Sequence, residues 1–456
     1  MRRLRLTTAG ESHGPGLTAT LQGLPAGLRV DVALLARELA RRQHGFGRGR
    51  RMQIEADAAE IRGGVRGGVT LGSPVVLWIA NRDYANWQKV MGPAAEDIDP
   101  RLAELRRLKA PRPGHADLAG GLKYLRRDLR DVLERASARE TAARVAAGAF
   151  AKMLLAELAG VEERSGVRAL GAVGADAPPP SWDDLLRMDD GSPLRAIDPA
   201  LEPEMLLLVE RAQDAGDTLG GAVTVIAHGV PAGLGSHTHW DEKLDGRLAQ
   251  AAMSVPAVKA VEIGAALAAS RGFGSAAHDP IVPAAAGAEA GAGADAGARA
   301  DAGARADAGA GAGAVAGVGA GAGAGAEAGA GAPAATAQAG ARRFARIGNR
   351  AGGLEGGITN GEDVVVTAYM KPIATLRRGL PSIDLDTLAA HASQYERSDV
   401  TALPAAGVVA EAMVALVLAD ALLEKLGGDS MAELRAHFAA TIALQQAWPG
   451  EAPPVG

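Results

Sequence analysis

The chain has 456 residues, of which 48% are hydrophobic and 22% charged, so it can form one large globular domain or two to three average ones. A net charge of −5 and only 3% aromatic residues argue against a nucleic-acid-binding surface, and the absence of cysteine excludes disulfides, thiolate metal sites and cysteine nucleophiles. The basic N-terminus has no apolar core, so we expect a cytoplasmic protein without a signal peptide or membrane segment.

The first motif, residues 10–14 (GESHG), fits the Gly-x-Ser-x-Gly nucleophile elbow of serine hydrolases. An elbow requires a strand before the serine and a helix directly after it. Residues 4–7 can form a strand, but Pro15 and Gly16 break a helix and residues 17–21 alternate like a second strand. The pattern therefore predicts strand–loop–strand and disfavours a hydrolase with Ser12 as its nucleophile.

A helix is predicted over residues 34–42, followed by the arginine- and glycine-rich segment 41–51 (RRQHGFGRGRR). One interpretation of this segment is a solvated basic face or a nucleic-acid patch. The other is a site for small, multiply charged anions, which arginine binds in bidentate fashion. The net negative charge and the single ring of the segment, Phe46, favour the small-anion site.

Two further segments add to this picture after a predicted strand at residues 75–79. In residues 112–117 (RPGHAD), a histidine lies in a proline–glycine loop. Ser137 and Glu140 have capping-box spacing at the start of a helix over residues 137–158, whose N-terminus would attract an anion together with Arg135 and Arg139. A plain helix start with surface arginines is the alternative.

The second half of the chain contains predicted strands at 221–227 and 364–369 and a last helix that follows Pro404 and stops at residues 427–428 (GG). Its apolar part, residues 407–423, is too short and too charged for a membrane span and is predicted to be buried. Residues 284–341 are almost only alanine and glycine, which predicts a disordered loop insertion. Since strands and helices do not alternate as βαβ units, an α+β fold is expected.

The glycine-rich segment 348–361 (NRAGGLEGGITNG after Gly348) follows the insertion, and its paired glycines would let a flat ligand lie against the backbone. Together with residues 10–14, 42–51, 112–117 and 135–148, it resembles the chorismate synthase family. The resemblance continues in residues 258–264 (VKAVEIG), 371–373 (KPI) and 397–399 (RSD), in the same order and over nearly the whole chain outside the insertion.

The resemblance implies a single domain over residues 1–456, interrupted by the insertion 284–341, in a family-specific β-α-β sandwich with helices packed between antiparallel sheets. It implies a homotetrameric lyase of the shikimate pathway of aromatic amino-acid biosynthesis. This enzyme eliminates phosphate from 5-enolpyruvylshikimate 3-phosphate by an anti-1,4-elimination and gives chorismate. It also implies reduced FMN as cofactor, with NADPH or an external flavin reductase as the source of electrons, and no metal.

Matched residue by residue, the resemblance implies that His13 protonates the flavin, that His115 lies near the departing phosphate and that Asp399 takes a proton at the N5 side of the flavin. Both histidines lie in glycine-flanked loops, which we expect to hold the rings outside the core. Ser12 and Ser137 match serines that line the site. Arg42 and Arg48 match nicotinamide-dinucleotide positions, and Arg48 and Arg139 suit the substrate. The flavin contacts implied are Arg135, Ala136, Ser137, Pro256, Ala257, Gly356, Lys371, Pro372, Ile373, Ala374, Thr375 and Arg397.

The chain departs from the family pattern at three positions. Ala136 replaces a frequent serine and so lacks its hydroxyl, and Thr401 replaces a common cysteine, so a thiol is unnecessary. Pro280 stands where an acidic residue is usual, directly before the insertion.

Overall fold

The computed structural model describes residues 2–46, 57–284, 344–396 and 399–449. Arg48, Arg397 and all of the alanine–glycine insertion except Ala284 lie outside these residues. The helices are α1 Val32–Gln43, α2 Gln88–Met91, α3 Pro100–Leu105, α4 Asp117–Tyr124, α5 Arg130–Ala136, α6 Thr141–Ala159, α7 Trp182–Arg187, α8 Glu202–Asp214, α9 Leu244–Met253, α10 Ala266–Ala269, α11 Gly274–Ala277, α12 Leu403–Leu426 and α13 Met431–Ala447. Short 3-10 turns cover Tyr84–Asn86, Ala95–Asp97 and Ala138–Glu140.

The strands form two four-stranded antiparallel sheets and several small ones. Their bounds are β1 Arg5–Ala9, β2 Gly16–Gln22, β3 Ala26–Arg29, β4 Ala59–Gly63, β5 Val65–Arg66, β6 Val69–Leu71, β7 Val75–Ala80, β8 Glu162–Leu170, β9 Gly221–His228, β10 Val258–Ile263, β11 Ile281–Pro283, β12 Phe344–Arg346, β13 Leu354–Glu355, β14 Ile358–Thr359, β15 Val364–Met370, β16 Pro381–Ile383 and β17 Ala390–Ala392. The two large sheets have the orders β1-β2-β7-β4 and β10-β15-β9-β8.

Alternation along the strands explains how the first sheet packs. In β2, Leu17, Ala19 and Leu21 are buried, since every second side chain points to the same face. This sheet contacts α6 through β2 and β7. The second sheet contacts α12 through β8 and β9, and its central strands β9 and β15 are buried along almost their whole length.

Helices α6 and α12 pack against each other, and α1 contacts both. A close approach of the two long helices requires a residue without a side chain: a Cβ at Gly148 would lie 2.4 Å from the Cβ of Ala412. Among the described residues, α12 is the one helix long and apolar enough to cross a membrane, and 94% of its most apolar window is buried inside the protein. The prediction of a buried helix there is confirmed, but the expectation that the segment is too short and too charged for a span was wrong, because α12 covers 24 residues.

A buried ionic cluster joins α1, α6, α12 and β8. Glu411 accepts hydrogen bonds from both Nη atoms of Arg41 at 2.8 Å and pairs with Lys152, which also lies 2.7 Å from Glu38. On the β8 side, Ser165 donates to Glu411.

Each strand and helix predicted from the sequence is present within one to four residues of its expected ends. Two details were wrong. Glu140 does not complete a capping box with Ser137, because its carboxylate pairs with Arg144 one turn later; the hydroxyl of Ser137 accepts from the Arg139 N–H instead. The helix after Pro404 is not the last, since α13 follows with its own capping box between Ser430 and Glu433.

Candidate active site

A cavity of about 1280 Å³ opens beside the N-terminus of α6 and the start of α12. Its walls come from the β1–β2 loop, the loops around α3 and α4, residues 255–257, residues 370–371 and residues 373–375. It brings together most of the residues proposed from the sequence: Ser12, His13, Arg42, His115, Arg135, Ala136, Ser137, Arg139, Pro256, Ala257, Lys371, Ile373, Ala374, Thr375 and Asp399.

Two proposed residues are absent from this lining. Gly356 lies in the turn between β13 and β14 with a positive φ of 62°, and no atom lies within 4 Å of the position that its Cβ would take. Pro372 lies between the lining residues Lys371 and Ile373. Arg48 and Arg397 are outside the described residues, so their predicted contacts stay predictions.

The loop of residues 10–15 connects β1 to β2, which pair with Ala9 opposite Thr18. The strand–loop–strand prediction is therefore confirmed, and a nucleophile elbow, which needs a helix after the serine, is not formed. The loop is anchored on both sides: the Ser12 N–H donates to the Glu134 carbonyl at 2.9 Å, and the Asn81 amide donates to the carbonyls of Ser12 and Gly14.

His13 is held on three sides. Its Nδ1 lies 2.9 and 3.0 Å from the two carboxylate oxygens of Glu134, and its backbone N–H donates to the same carboxylate at 2.8 Å. The ring of Trp87 packs on the imidazole with centroids 3.8 Å apart, and Arg130 both pairs with Glu134 at 3.1 Å and lies over Trp87. The expectation that the glycine loop keeps this ring out of the core was wrong, because His13 is only 8% exposed beneath Trp87.

The electrostatics of Glu134 explain its ionised state. Burial of this carboxylate favours the neutral acid, but the hydrogen bonds from His13 and the charge of Arg130 outweigh burial, and the pKa of Glu134 lies below its usual value. An ionised carboxylate only accepts hydrogen bonds, so the Nδ1 of His13 carries a hydrogen. Proton exchange at this imidazole is therefore confined to Nε2.

His115 has a parallel arrangement. Its Nδ1 lies 2.6 Å from Asp117 Oδ1, and Asp117 is bound by Arg112 through Nε at 2.7 Å. Burial opposes ionisation of Asp117, yet the hydrogen bonds from His115 and Arg112 lower its pKa well below the usual range. Arg112 is fixed in turn by Thr375, 2.9 Å from its Nη1. Both histidines thus belong to histidine–carboxylate–arginine triads.

Most cations of the cavity wall are used inside the protein. Arg42 donates to Thr141, Asp57 and the Ala138 carbonyl, and Arg139 pairs with Asp57 at 3.1 Å. The arginine at position 135 donates to the carbonyls of Thr8 and Gly10 and to the Thr8 hydroxyl, so it fixes the end of β1. These side chains shape the wall, and their charge is largely satisfied before any ligand binds.

Two lining cations differ from the others. Within the described part of the chain, the side chains of Arg106 and Lys371 have neither a carboxylate partner nor a hydrogen bond, although Arg106 lies over Trp87 at 4.1 Å. Burial, followed by the nearby charge of Lys259, lowers the pKa of Lys371. Sequence reasoning missed Arg106, Trp87 and Glu134; only the i, i+4 spacing of Arg130 and Glu134 on a helix pointed to an ion pair there.

The departures from the family pattern have local explanations. Thr401 is fully buried, and its hydroxyl accepts from the Leu403 N–H at the start of α12, a role in which a thiol is not needed. Pro280 precedes β11 and accepts a hydrogen bond from the Ile347 N–H through its carbonyl. Ala136 is the last residue of α5 and lines the cavity.

Comparison with known proteins gives one consistent result. A family model described as chorismate synthase matches residues 4–298 and 283–423. The chorismate synthase of Moorella thermoacetica is 48% identical over 437 residues, which cover 96% of this chain and 98% of the relative. That of Geobacter sulfurreducens is 45% identical over 435 residues, covering 95% and 97%. A crystal structure of chorismate synthase is similar with a TM-score of 0.68 at 36% identity, covering 98% of this chain and all of the other.

Among the described residues, no group of three or more His, Asp or Glu could hold a metal ion.

Proposed function

The chain belongs to the chorismate synthase family and is a carbon–oxygen lyase that forms chorismate, and from this premise we propose that its cavity binds 5-enolpyruvylshikimate 3-phosphate together with reduced FMN. The observation that carries the proposal is that one cavity joins two histidine–carboxylate–arginine triads to two cations, Arg106 and Lys371, whose side chains have neither a carboxylate partner nor a hydrogen bond among the described residues.

The size and charge of the cavity support two ligands. Small-molecule pockets usually measure about 300–1,000 Å³, and this one measures about 1280 Å³. The substrate carries a phosphate and two carboxylates and FMN carries a further phosphate, for which Arg106 and Lys371 are suitable partners. Apolar lining residues, among them Leu133, Val255 and Val409, would pack against the flat flavin ring.

We propose the following roles for the histidines and the aspartate. His13 holds a proton on Nε2 for the flavin, since its Nδ1 is committed to Glu134. His115 donates a hydrogen bond from Nε2 to the phosphate as it leaves, since its Nδ1 is committed to Asp117. Asp399, which lines the same cavity, accepts a proton at the N5 side of the flavin. Reduced FMN, when bound, supplies the reducing chemistry that the family requires although the net reaction changes no oxidation state.

The remaining contacts follow the family pattern. Ser12, Ser137 and Arg139 line the cavity, and we propose that Arg139 binds the substrate, as the family pattern also implies for Arg48. The flavin is held by residues 135–137, 256–257, 371–375 and Arg397, and a contact of Gly356 would have to come from outside the lining described above. The guanidinium of Arg42 already has partners inside the protein. This favours a structural role for Arg42 rather than a contact with a dinucleotide.

We also propose that the chain forms one domain interrupted by the insertion, in which the helices α6 and α12 lie between the two large sheets, and that it assembles as a cytoplasmic homotetramer. The contacts of α6 with the first sheet and of α12 with the second support the layered arrangement. Electrons for the flavin come from NADPH or from an external flavin reductase; the absence of a Rossmann glycine motif favours the reductase.

The test of these roles is anaerobic phosphate release from the substrate with reduced or oxidised FMN, using His13→Ala and His115→Ala beside the wild type. We expect turnover only with reduced flavin, and a loss of roughly 10- to 10⁴-fold in each variant, as for removal of a positioned proton donor. The spectrum of bound reduced FMN should change in His13→Ala and not in His115→Ala. Folded variants as fast as wild type would refute the acid–base roles.

A further inference from the structure

Two buried carboxylates, which are not among the site residues proposed from the sequence, bind the Nδ1 atoms of the two histidines. Glu134 lies on α5 and is 2% exposed, and Asp117 begins α4 and is also 2% exposed. Each accepts from the Nδ1 of one histidine and from the guanidinium of one arginine. We propose that Glu134 and Asp117 are positioning residues, which fix the tautomer and the ring orientation of His13 and His115 respectively.

The arrangement around Glu134 is more than an ion pair. The carboxylate of Glu134 accepts hydrogen bonds from the backbone N–H and the ring Nδ1 of His13, and the backbone carbonyl of Glu134 accepts one from the Ser12 N–H. Glu134 therefore fixes the loop and the ring together. Trp87 closes the other face of the imidazole, and Arg130 connects both walls because it contacts Glu134 and Trp87. The ring can neither flip nor move away without breaking several of these contacts.

The arrangement around Asp117 has the same chemistry with different geometry. Arg112 approaches His115 Nδ1 to 3.0 Å, but a guanidinium has no lone pair to accept a hydrogen bond, so the hydrogen on Nδ1 belongs to the bond with Asp117. Arg112 donates to Asp117 through its backbone N–H, Nε and Nη2. Asp117 is thus saturated by donors, and His115 keeps Nε2 for proton exchange.

This inference rests on the proposed roles of the two histidines, but its structural part can be measured without flavin or substrate. Long-range ¹H–¹⁵N spectra of the apo protein with labelled histidine report the tautomer of each ring, and the spectra of His13→Gln and His115→Gln identify the two signals. We expect both rings of the wild type to carry a hydrogen on Nδ1, which gives the Nδ1–H tautomer when the ring is neutral and the imidazolium when Nε2 also holds the proton needed for its proposed role. In Glu134→Gln only the His13 signal should change, and in Asp117→Asn only the His115 signal, because an amide places a donor group where the carboxylate accepts.

Turnover with reduced FMN is the second measurement. Each carboxylate variant should lose about 10- to 100-fold, the range typical when the carboxylate that orients a metal-bound histidine is removed. Glu262→Gln is the matched control, since Glu262 is also buried, pairs with Arg168 and accepts the Leu267 N–H, but does not line the cavity. It should affect stability and leave turnover near the wild-type value.

The possible results distinguish the positioning role of the carboxylates from the proposed roles of the histidines. Unchanged tautomers in the carboxylate variants, or a turnover loss no larger than in Glu262→Gln while the histidine variants are impaired, would overturn the positioning role alone. Wild-type turnover in His13→Gln and His115→Gln would instead overturn the proposed roles of the histidines, on which the inference rests.

Discussion

The carboxyl group of Glu163 gives a pH-dependent stability that can be calculated. This residue on β8 lies near the buried ionic cluster, and its Oε1 is buried without a hydrogen-bond partner among the described residues. Burial, with the nearby negative charges of Glu411 and Glu38, raises its pKa from an ordinary value of 4.5 to about 8, although the charge of Lys152 opposes the shift. At neutral pH the folded protein therefore keeps this carboxyl protonated.

The sign of the effect follows from proton binding. Between pH 4.5 and about 8 the folded protein holds a proton that the unfolded chain has released. The free energy of unfolding therefore falls with rising pH, by at most about 1.4 kcal/mol per pH unit. Above pH 8 the total decrease in the free energy of unfolding caused by Glu163 is at most about 5 kcal/mol. We expect about 1–3 kcal/mol to be observed, since relaxation around buried charges raises the effective dielectric constant.

Glu163→Gln replaces the carboxyl by a neutral group of the same shape. Thermal unfolding of variant and wild type should give similar melting temperatures at pH 5 and a higher one for the variant at pH 8.5. Glu162→Gln is the control, because Glu162 is the exposed neighbour on the same strand and undergoes the same change of side chain. A difference between Glu163→Gln and wild type that is the same at both pH values would refute the reasoning.

Two other predictions concern the cavity and the insertion. Arg106→Gln should raise KM for the phosphate-bearing substrate by roughly 10-fold or more, because a charge-assisted hydrogen bond is worth about 1.5–3 kcal/mol. Arg107→Gln, whose guanidinium pairs with Asp386, should not, and equal KM values for the two variants would count against anion binding by Arg106. Replacing residues 284–341 by a short glycine–serine linker should leave turnover and melting temperature nearly unchanged. Pro283 and Phe344 are directly paired across β11 and β12, so a hairpin-length connection suffices; a large loss of either property would show that the insertion contributes to packing or to the site.

The elements were predictable because local patterns determine them. The alternation in β2, the break at Pro15 and the glycine stop after α12 each express a backbone or burial preference of neighbouring residues. The missed helix α13 also had a local signal, the Ser430–Glu433 capping box, in a segment that the sequence analysis did not assign. In contrast, the sequence could not show whether Glu140 would pair with Arg144 or form a capping box with Ser137, since both residues have a spacing from Glu140 that a helix allows.

The supports of the site were less accessible from sequence, because they depend on residues far apart in the chain. His13 and Glu134 are separated by 121 residues, and Arg112 and Thr375 by 263. No periodicity connects such pairs. The motif around His13 identified a polar loop. The packing of α5 and the 84–91 segment against that loop was needed to show which carboxylate contacts Nδ1 and that Trp87 covers the ring.

The arginines of the cavity show why counting charges in motifs overestimates what a ligand meets. Eight cations are among the lining residues, but Arg42 and Arg139 share Asp57, and three others have a carboxylate of their own: Arg112, Arg130 and Arg144. Arg135 spends its donors on the carbonyls that end β1. The arginines of the sequence therefore pointed to residues that do line one cavity, while the anion attraction that we propose comes mainly from Arg106 and Lys371, neither of which lies in the arginine-rich segment. Because the paired arginines are fixed by their carboxylates, they can present oriented donors to a ligand without a conformational change, and the two others supply the uncompensated charge.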